Sequence, residues 1–116
     1  MKALSVRVDH AGMSKIQFKL SDLALDDLMA IEDYTAKTWG ETQADEYLDQ
    51  LEQRFYWLAE HAGAGKSRKA LAPGLSSFPQ GHHIIFYRAG GSMLEVARIL
   101  HQSMDIEHQF DQPSSG

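Results

Sequence analysis

The sequence contains no cysteine, no long hydrophobic run and no excess of positive charge. The missing cysteines exclude a disulfide scaffold and any metal site built on thiolates. No apolar stretch approaches the roughly 20 residues that a membrane-spanning helix needs, and residues 1–12 lack the hydrophobic block of a secretion signal. We therefore expect a protein that is not exported and that works in a cytoplasm.

The length and composition predict a single domain. With 116 residues and 43% hydrophobic content, the chain has room for one modest core. We expect this domain to cover residues 15–110. Residues 1–14 are predicted to be a disordered N-terminal extension, because Met13 lies just before the first strand pattern and offers a second start. Residues 111–116 are predicted to be a polar tail without core residues.

The net charge of −5 conceals a strong asymmetry along the chain. Residues 22–60 contain eleven acids and only two lysines or arginines, whereas residues 61–110 contain five lysines or arginines and three acids. A protein with a mostly acidic body does not bind nucleic acid through bulk charge. The cations of the second half instead favour a local contact with a specific partner.

The first half of the domain is predicted to be a strand followed by a helical hairpin. Residues 15–20 alternate polar and apolar side chains, which is typical of a half-buried strand. Ser21 is a good helix N-cap, and Gly40 is of the type that ends a helix. The first helix is predicted to run to about residue 39, with an apolar stripe of Leu25, Leu28, Ile31 and Thr35. The second is predicted over residues 41–61, with an apolar stripe of Ala44, Tyr47, Leu48, Leu51, Phe55 and Leu58.

The second half is predicted to be a small sheet. Apolar runs predict strands over residues 75–78, 82–88 and 93–101, with a Gly90-Gly91 turn between the last two. Residues 103–110 are predicted to form a short helix. The fold class is therefore α+β, with an antiparallel helical hairpin packed on one side of a mainly antiparallel sheet of about four strands.

Motifs for catalysis or metal binding are weak. The tripeptide Gly65-Lys66-Ser67 lacks the earlier glycine of a phosphate loop, because position 60 is Glu. His82 and His83 are neighbours on a strand and point to opposite faces, so they do not chelate together. The serines of the 75–78 strand lack a nucleophile elbow. We predict no metal site and no cofactor.

Cations interrupt the apolar strands of the second half. Burying an unpaired charge is costly, so each of these arginines is either paired or faces a partner. We expect one side of the sheet to gather Arg68, Lys69, Arg88, Arg98 and His101, where guanidinium groups suit carboxylate or phosphate. The alternative is that Arg98 pairs internally with Glu95, Asp105 or an acid of the helices.

Several fragments spread over about residues 16–110 form a combined signature. They are LSDLA at 20–24, IEDYT at 31–35, WG at 39–40, ADEYL at 44–48, PGLSSFP at 73–79, GHH at 81–83, IFYR at 85–88, RILH at 98–101 and MD at 104–105. With these fragments the chain resembles the ParE-type toxins of the RelE/ParE superfamily. These are the toxin halves of bacterial type II toxin–antitoxin modules, often labelled plasmid stabilisation proteins.

The resemblance implies a cytoplasmic bacterial toxin that inhibits DNA gyrase, arrests growth and is neutralised by a ParD-like antitoxin. It implies that residues 103–110, including Met104 and Asp105, join the basic side of the sheet in binding the target. The antitoxin is expected to wrap along the hairpin and sheet, and we predict that it contacts Tyr34, Tyr47, Leu51 and Phe55. Members of the family are commonly dimeric, alone or with antitoxin.

Two other functions stay open at this point. The RelE branch cleaves messenger RNA on the ribosome, and a ribonuclease built on this chain would use Arg68, Arg98 and His101. The chain departs from that branch because no tyrosine, lysine or arginine follows Arg98. The other alternative is a degenerate module that only binds its antitoxin. We favour the gyrase inhibitor, which is not an enzyme.

Overall fold

The strands and helices follow the order that the sequence predicts. The computed structural model describes residues 17–110, so the predicted extension over 1–14 and the tail over 111–116 lie outside the described residues. The elements are strand β1 Gln17–Leu20, helix α1 Asp22–Trp39, helix α2 Glu41–Glu60, a 3₁₀ turn Ala62–Ala64, strands β2 Lys66–Ser67, β3 Ser76–Gln80, β4 His83–Gly90 and β5 Met93–His101, and helix α3 Ile106–Phe110.

The five strands form one mixed sheet in the order β1-β5-β4-β3-β2. Strands β1 and β5 are parallel, and the other neighbours are antiparallel, which confirms the mainly antiparallel sheet. The prediction of about four strands is corrected to five among the described residues. The missed strand, β2, has only two residues, and so short a segment shows no period of two.

Local signals set the ends of the hairpin helices. The Ser21 hydroxyl accepts a hydrogen bond from the Ala24 N–H at 3.0 Å, which confirms Ser21 as the N-cap of α1. Gly40 follows α1 with a φ of +99°, a conformation that L side chains rarely adopt, and α2 begins at the next residue. One residue between the helices makes the pair antiparallel, as predicted.

The main core lies between the hairpin and one face of the sheet. Leu28 and Ile31 of α1 are buried there, as predicted, but Leu25 is 47% exposed and the buried position of that first turn is Ala24. The true stripe therefore follows the spacing of residues 24, 28, 31 and 35. The sheet contributes Phe18, Ile85, Tyr87, Leu94, Val96 and Ile99 to this core.

The opposite face of the sheet, which we call the α3 face, has a second and smaller core. Leu75, Phe86 and Leu100 are buried on it, and Ile106 and Phe110 of α3 pack against them. The ring centroids of Phe86 and Phe110 lie 4.9 Å apart in an edge-on arrangement. No residue of α3 is itself fully buried. This short helix therefore covers part of the face and leaves its rim exposed.

Element boundaries differ from the prediction by a few residues. Strand β3 continues to Gln80 and includes Pro79, whereas the sequence predicts an end at Phe78. Strand β4 continues to Gly90, so the tight turn is made by Gly91, with a φ of +58°, and Ser92. Helix α3 is shorter than predicted and begins at Ile106.

Candidate functional site

Arg98 is paired inside the fold. Its Nε and Nη2 donate hydrogen bonds to the two carboxylate oxygens of Asp27 in α1, at 2.9 and 3.0 Å. The two side chains are 16% and 13% exposed. The hydrogen bonds to Asp27 raise the pKa of Arg98 above its ordinary value. The internal pairing considered from the sequence is the observed one, and the partner-binding and catalytic roles of Arg98 stay predictions.

The position of Arg98 follows from the way in which α1 closes the edge of β5. Strand β1 pairs with β5 only as far as Val96. Beyond it, the Ser21 hydroxyl donates to the Ala97 carbonyl at 2.7 Å, and the Asp27 carboxylate accepts from the Ile99 N–H at 2.9 Å. Asp27 therefore satisfies a strand N–H and a guanidinium together. This role of Asp27 cannot be recognised from the sequence, because Asp27 is only one of several acids in α1.

A cluster of rings lies where β4 begins and β5 ends. His83 and His101 are register partners with ring centroids 5.3 Å apart, and the Tyr47 hydroxyl lies 2.6 Å from His83 Nδ1. Burial, together with the nearby His101 and His82, lowers the pKa of His83 to about 4. Burial likewise raises the pKa of Tyr47. This cluster connects α2 to the sheet with a neutral imidazole at ordinary pH.

The α3 face contains a different set of cations. Arg68 Nη1 donates to the Ser77 hydroxyl at 3.2 Å, and its guanidinium carbon lies 5.3 Å from the Phe86 ring centroid. Arg88 Nη1 is 3.7 Å from the Glu95 carboxylate, with both side chains about two-fifths exposed. Lys69 follows Arg68 in the chain and is exposed. Of the predicted partner-binding cations, the structure therefore brings Arg68 and Arg88 to this face, with Lys69 next to Arg68 in the chain.

The remaining predicted target contacts lie around the start of α3. Met104 is 46% exposed. The Asp105 carboxylate accepts from the His108 N–H at 3.2 Å and so caps α3. His101 Nδ1 accepts from the Ser103 N–H at 3.1 Å and also contacts the Ser103 hydroxyl at 2.7 Å. Binding by Met104, Asp105 and His101 stays a prediction.

The residues of the alternative ribonuclease do not meet in one site. Arg98 is bound to Asp27 of α1, Arg68 lies over Phe86 on the α3 face, and His101 belongs to the ring cluster beside Tyr47. A shared phosphate would need these groups to converge within hydrogen-bond reach. For metals, residues 17–110 contain no group of three or more histidines and carboxylates that could hold an ion.

The hairpin residues predicted to bind antitoxin divide into two classes. Tyr34 is 67% exposed and Tyr47 is half-buried, whereas Leu51 and Phe55 are fully buried. Buried side chains present no surface to a partner, so the prediction for Leu51 and Phe55 is wrong and both are core residues. Helix α1 also exposes apolar side chains that were not predicted to lie on the surface, which are Leu23, Leu25, Met29 and Trp39.

A shallow groove runs between α1 and the start of α2. Met29, Ala36 and Ala44 line it with acids on both sides, which are Glu32, Asp33, Glu41 and Asp45. The hairpin surface is thus acidic with apolar side chains, whereas the α3 face presents cations.

No helix among residues 17–110 is both long and apolar enough to cross a bilayer.

Comparisons with known proteins agree with this architecture. Residues 18–106 match the family model of the ParE toxin of type II toxin–antitoxin systems, parDE. The chain is 38% identical over 88 residues to Toxin ParE1 of Caulobacter vibrioides, which covers 76% of this chain and 91% of that protein. It is 34% identical over 95 residues to Toxin ParE1 of Mycobacterium tuberculosis, which covers 81% of this chain and 97% of that protein.

A solved structure shows the same fold. A chain described as "Chromosomal ParDE TA system from P. aeruginosa" superposes with a TM-score of 0.62 at 22% identity, and the match covers 72% of this chain and 92% of that one. Together with the family match, this confirms the resemblance on which the sequence analysis relied. The chain belongs to the ParE family, the toxins of parDE type II toxin–antitoxin systems.

Proposed function

We propose that this toxin arrests bacterial growth by binding and inhibiting DNA gyrase in the cytoplasm, and that a ParD-like antitoxin neutralises it. Membership of the ParE family supports this proposal. The observation that carries it is the division of the surface into an acidic, partly apolar hairpin and an α3 face with ordered cations. Two unlike surfaces suit two unlike partners.

The hairpin is the surface that suits the antitoxin. Met29, Tyr34 and Trp39 expose apolar area on α1, and acids line the groove beside them. A disordered antitoxin segment with apolar and basic side chains would bury the exposed apolar area of α1 and pair with the acids of the groove. Ordering such a segment on binding costs free energy, and a long contact along the helices offsets that cost.

The α3 face is the surface that suits the target. It combines Arg68 and Lys69 with the exposed Met104 at the start of α3. A ribonuclease is the weaker proposal, because both oxygens of Asp27 already bind the Arg98 guanidinium that would have to hold the scissile phosphate. The observed geometry supports recognition of a macromolecule more than acid–base chemistry.

The test is a supercoiling assay with purified toxin and gyrase. We expect micromolar toxin to block supercoiling, and preincubation with the cognate antitoxin to restore it. Arg98 is not a useful probe here because its loss damages the fold, so Lys69→Ala and Arg68→Ala are the variants to compare. Normal supercoiling at micromolar toxin, together with codon-specific cleavage of messenger RNA in a translating extract, would show that the target is the ribosome.

A further inference from the structure

We propose that Arg68 anchors the α3 face to a carboxylate on the protein that this toxin attacks, and that Ser77 and Phe86 position its guanidinium for that contact. The inference rests on the proposed function, in which the α3 face is the one that binds the cellular target. It names the residue that makes the contact, the residues that hold it and the chemical group that it meets.

The backbone and two neighbouring strands fix Arg68. Its N–H donates to the Leu75 carbonyl at 2.8 Å, which holds the residue just after β2. Ser77 of β3 and Phe86 of β4 are register partners, so their side chains lie side by side on the same face of the sheet. Arg68 contacts both, through the hydrogen bond to Ser77 and through the ring of Phe86.

Arg68 differs from the arginines of β4 and β5 in its charge balance. Arg98 has two hydrogen bonds to Asp27, and Arg88 lies beside Glu95. Over the described range 17–110, no carboxylate lies within ion-pair distance of Arg68. A guanidinium has five N–H donors, and Ser77 accepts from one of them. The others are available for the two oxygens of one carboxylate.

Ser77 is the feature that points to a positioning role. It is a buried polar residue, only 5% exposed, in a face otherwise built from Leu75, Phe86 and Leu100. A buried hydroxyl is costly unless it is hydrogen-bonded. Its bond to Arg68 orients one edge of the guanidinium inward, while Phe86 supports the plane from below. Such preorganisation lowers the entropy lost when a partner binds.

The surroundings favour a protein carboxylate over a nucleic-acid phosphate. Arg68 lies over the Phe86 ring, which belongs to a core against which Leu71 and Ala72 also pack, and arginine is enriched among the residues that dominate the binding energy of protein interfaces. A phosphate backbone would also meet the repulsion of a chain with a net charge of −5 and a strongly acidic hairpin. A single carboxylate on a folded protein avoids that repulsion.

The first experiment measures growth arrest and gyrase inhibition for matched variants. We expect Arg68→Ala to weaken both by about tenfold or more, and the control Lys37→Ala, which removes an exposed cation of α1 outside the α3 face, to stay within about twofold. Ser77→Ala should weaken both about threefold with an unchanged melting curve, and Ser77→Thr should restore them because it keeps the hydroxyl. If Arg68→Ala melts early, Arg68→Gln, which keeps much of the stem, takes its place.

The second experiment identifies the group that Arg68 meets. Carbodiimide joins a lysine amine directly to a carboxylate in contact with it, so an Arg68→Lys variant in a Lys69→Ala background should cross-link to an Asp or Glu of gyrase. Mass spectrometry then locates the linked peptide. The same background without Arg68→Lys is the control, and it should give no such link at that site.

The outcomes separate this inference from the proposed function. If wild-type toxin stops growth but leaves gyrase active, the gyrase proposal is wrong. The growth assay with Arg68→Ala then still tests whether Arg68 contacts the target. A folded Arg68→Ala variant with full potency overturns the anchor, and a fully potent Ser77→Ala variant overturns the positioning role. Binding to naked DNA that depends on Arg68 and falls steeply with salt would show that the ligand is a phosphate and overturn the carboxylate. Wild-type toxin without any effect on growth overturns both proposals.

Discussion

Arg98 of β5 and Arg68, which directly follows β2, have opposite surroundings. Arg98 lies at the β5 edge, bound by both oxygens of Asp27 and largely buried. Arg68 lies on the α3 face, held by a hydroxyl and a ring without a carboxylate in the described chain. The first arginine joins α1 to the sheet, whereas the second keeps its charge for another molecule. The role of an arginine in this fold therefore depends on the group that its side chain contacts and cannot be inferred from its position in the sequence.

The largest effect that separates the two arginines is expected for Asp27→Ala. The substitution leaves a nearly buried guanidinium unpaired and frees the Ile99 N–H, so we expect a loss of about 3–5 kcal/mol in the free energy of unfolding. Urea denaturation measures it. The double variant Asp27→Ala with Arg98→Met removes the buried charge and should recover a large part of the loss. A change below about 1 kcal/mol in the single variant would contradict the structural role.

A second and smaller effect concerns acid stability on the hairpin side. The pKa of His83 is lowered to about 4, so between pH 6.5 and 4 the unfolded chain binds more protons than the folded one. Stability therefore falls as the pH falls through this window, and the contribution is fully lost below the folded pKa. Since His83 is partly exposed and solvent screens its charge, we expect a loss of about 1–2 kcal/mol.

Melting curves at several pH values test the effect of His83 directly. The difference between wild type and His83→Gln isolates this group from the carboxylates that titrate in the same range. Wild type should lose more stability than the variant between pH 6.5 and 4. Parallel curves for the two proteins would show that the folded and unfolded pKa values of His83 are the same.

Arg68→Ala sharpens the comparison from the other side. It removes the cation–π contact with Phe86 and one hydrogen bond to Ser77, so the expected loss of stability is about 0.5–1 kcal/mol. Thermal or urea unfolding of Arg68→Ala and Asp27→Ala in parallel measures how the two losses of stability compare. Equal losses in the two variants would mean that Arg68 is as structural as Arg98.

The smallest effect is expected for the exposed pair on the α3 face. Arg88 and Glu95 are 3.7 Å apart with both side chains about two-fifths exposed. A double-mutant cycle with Arg88→Ala and Glu95→Ala should give a coupling energy below about 0.5 kcal/mol, decreasing further in high salt. A coupling above about 1.5 kcal/mol would place Arg88 in the same class as Arg98.

Much of the fold follows from local patterns that the sequence displays. Ser21 and Gly40 mark the ends of α1 through their own chemistry, and the stripe of α2 has an unambiguous helical period. The predicted bounds of β5 agree with the observed ones. A long apolar run between a tight turn and a polar segment is typical of a buried strand. These signals are all contained within a few neighbouring residues.

The candidate site was harder to predict because it depends on contacts between distant residues. Asp27 and Arg98 are 71 positions apart, and no local pattern indicates which of the many acids would pair with the arginine. Leu51 and Phe55 were placed on the antitoxin surface although the same apolar stripe assigns them to the core. Pro79 suggests that β3 ends before it. However, β2 pairs only with Ser76 and Ser77, so the rest of β3 is an edge without a neighbour on that side. A proline is tolerated there because its missing N–H is not needed for pairing.

The closed edge of β5 also limits how a second chain can join the sheet. Past Val96 the strand's outward Ala97 carbonyl and Ile99 N–H are occupied by Ser21 and Asp27. These two backbone groups are therefore not available to an incoming extended peptide. Strand addition at that position, a common route to aggregation for exposed sheet edges, is opposed by the side chains of the α1 N-cap and of α1 itself.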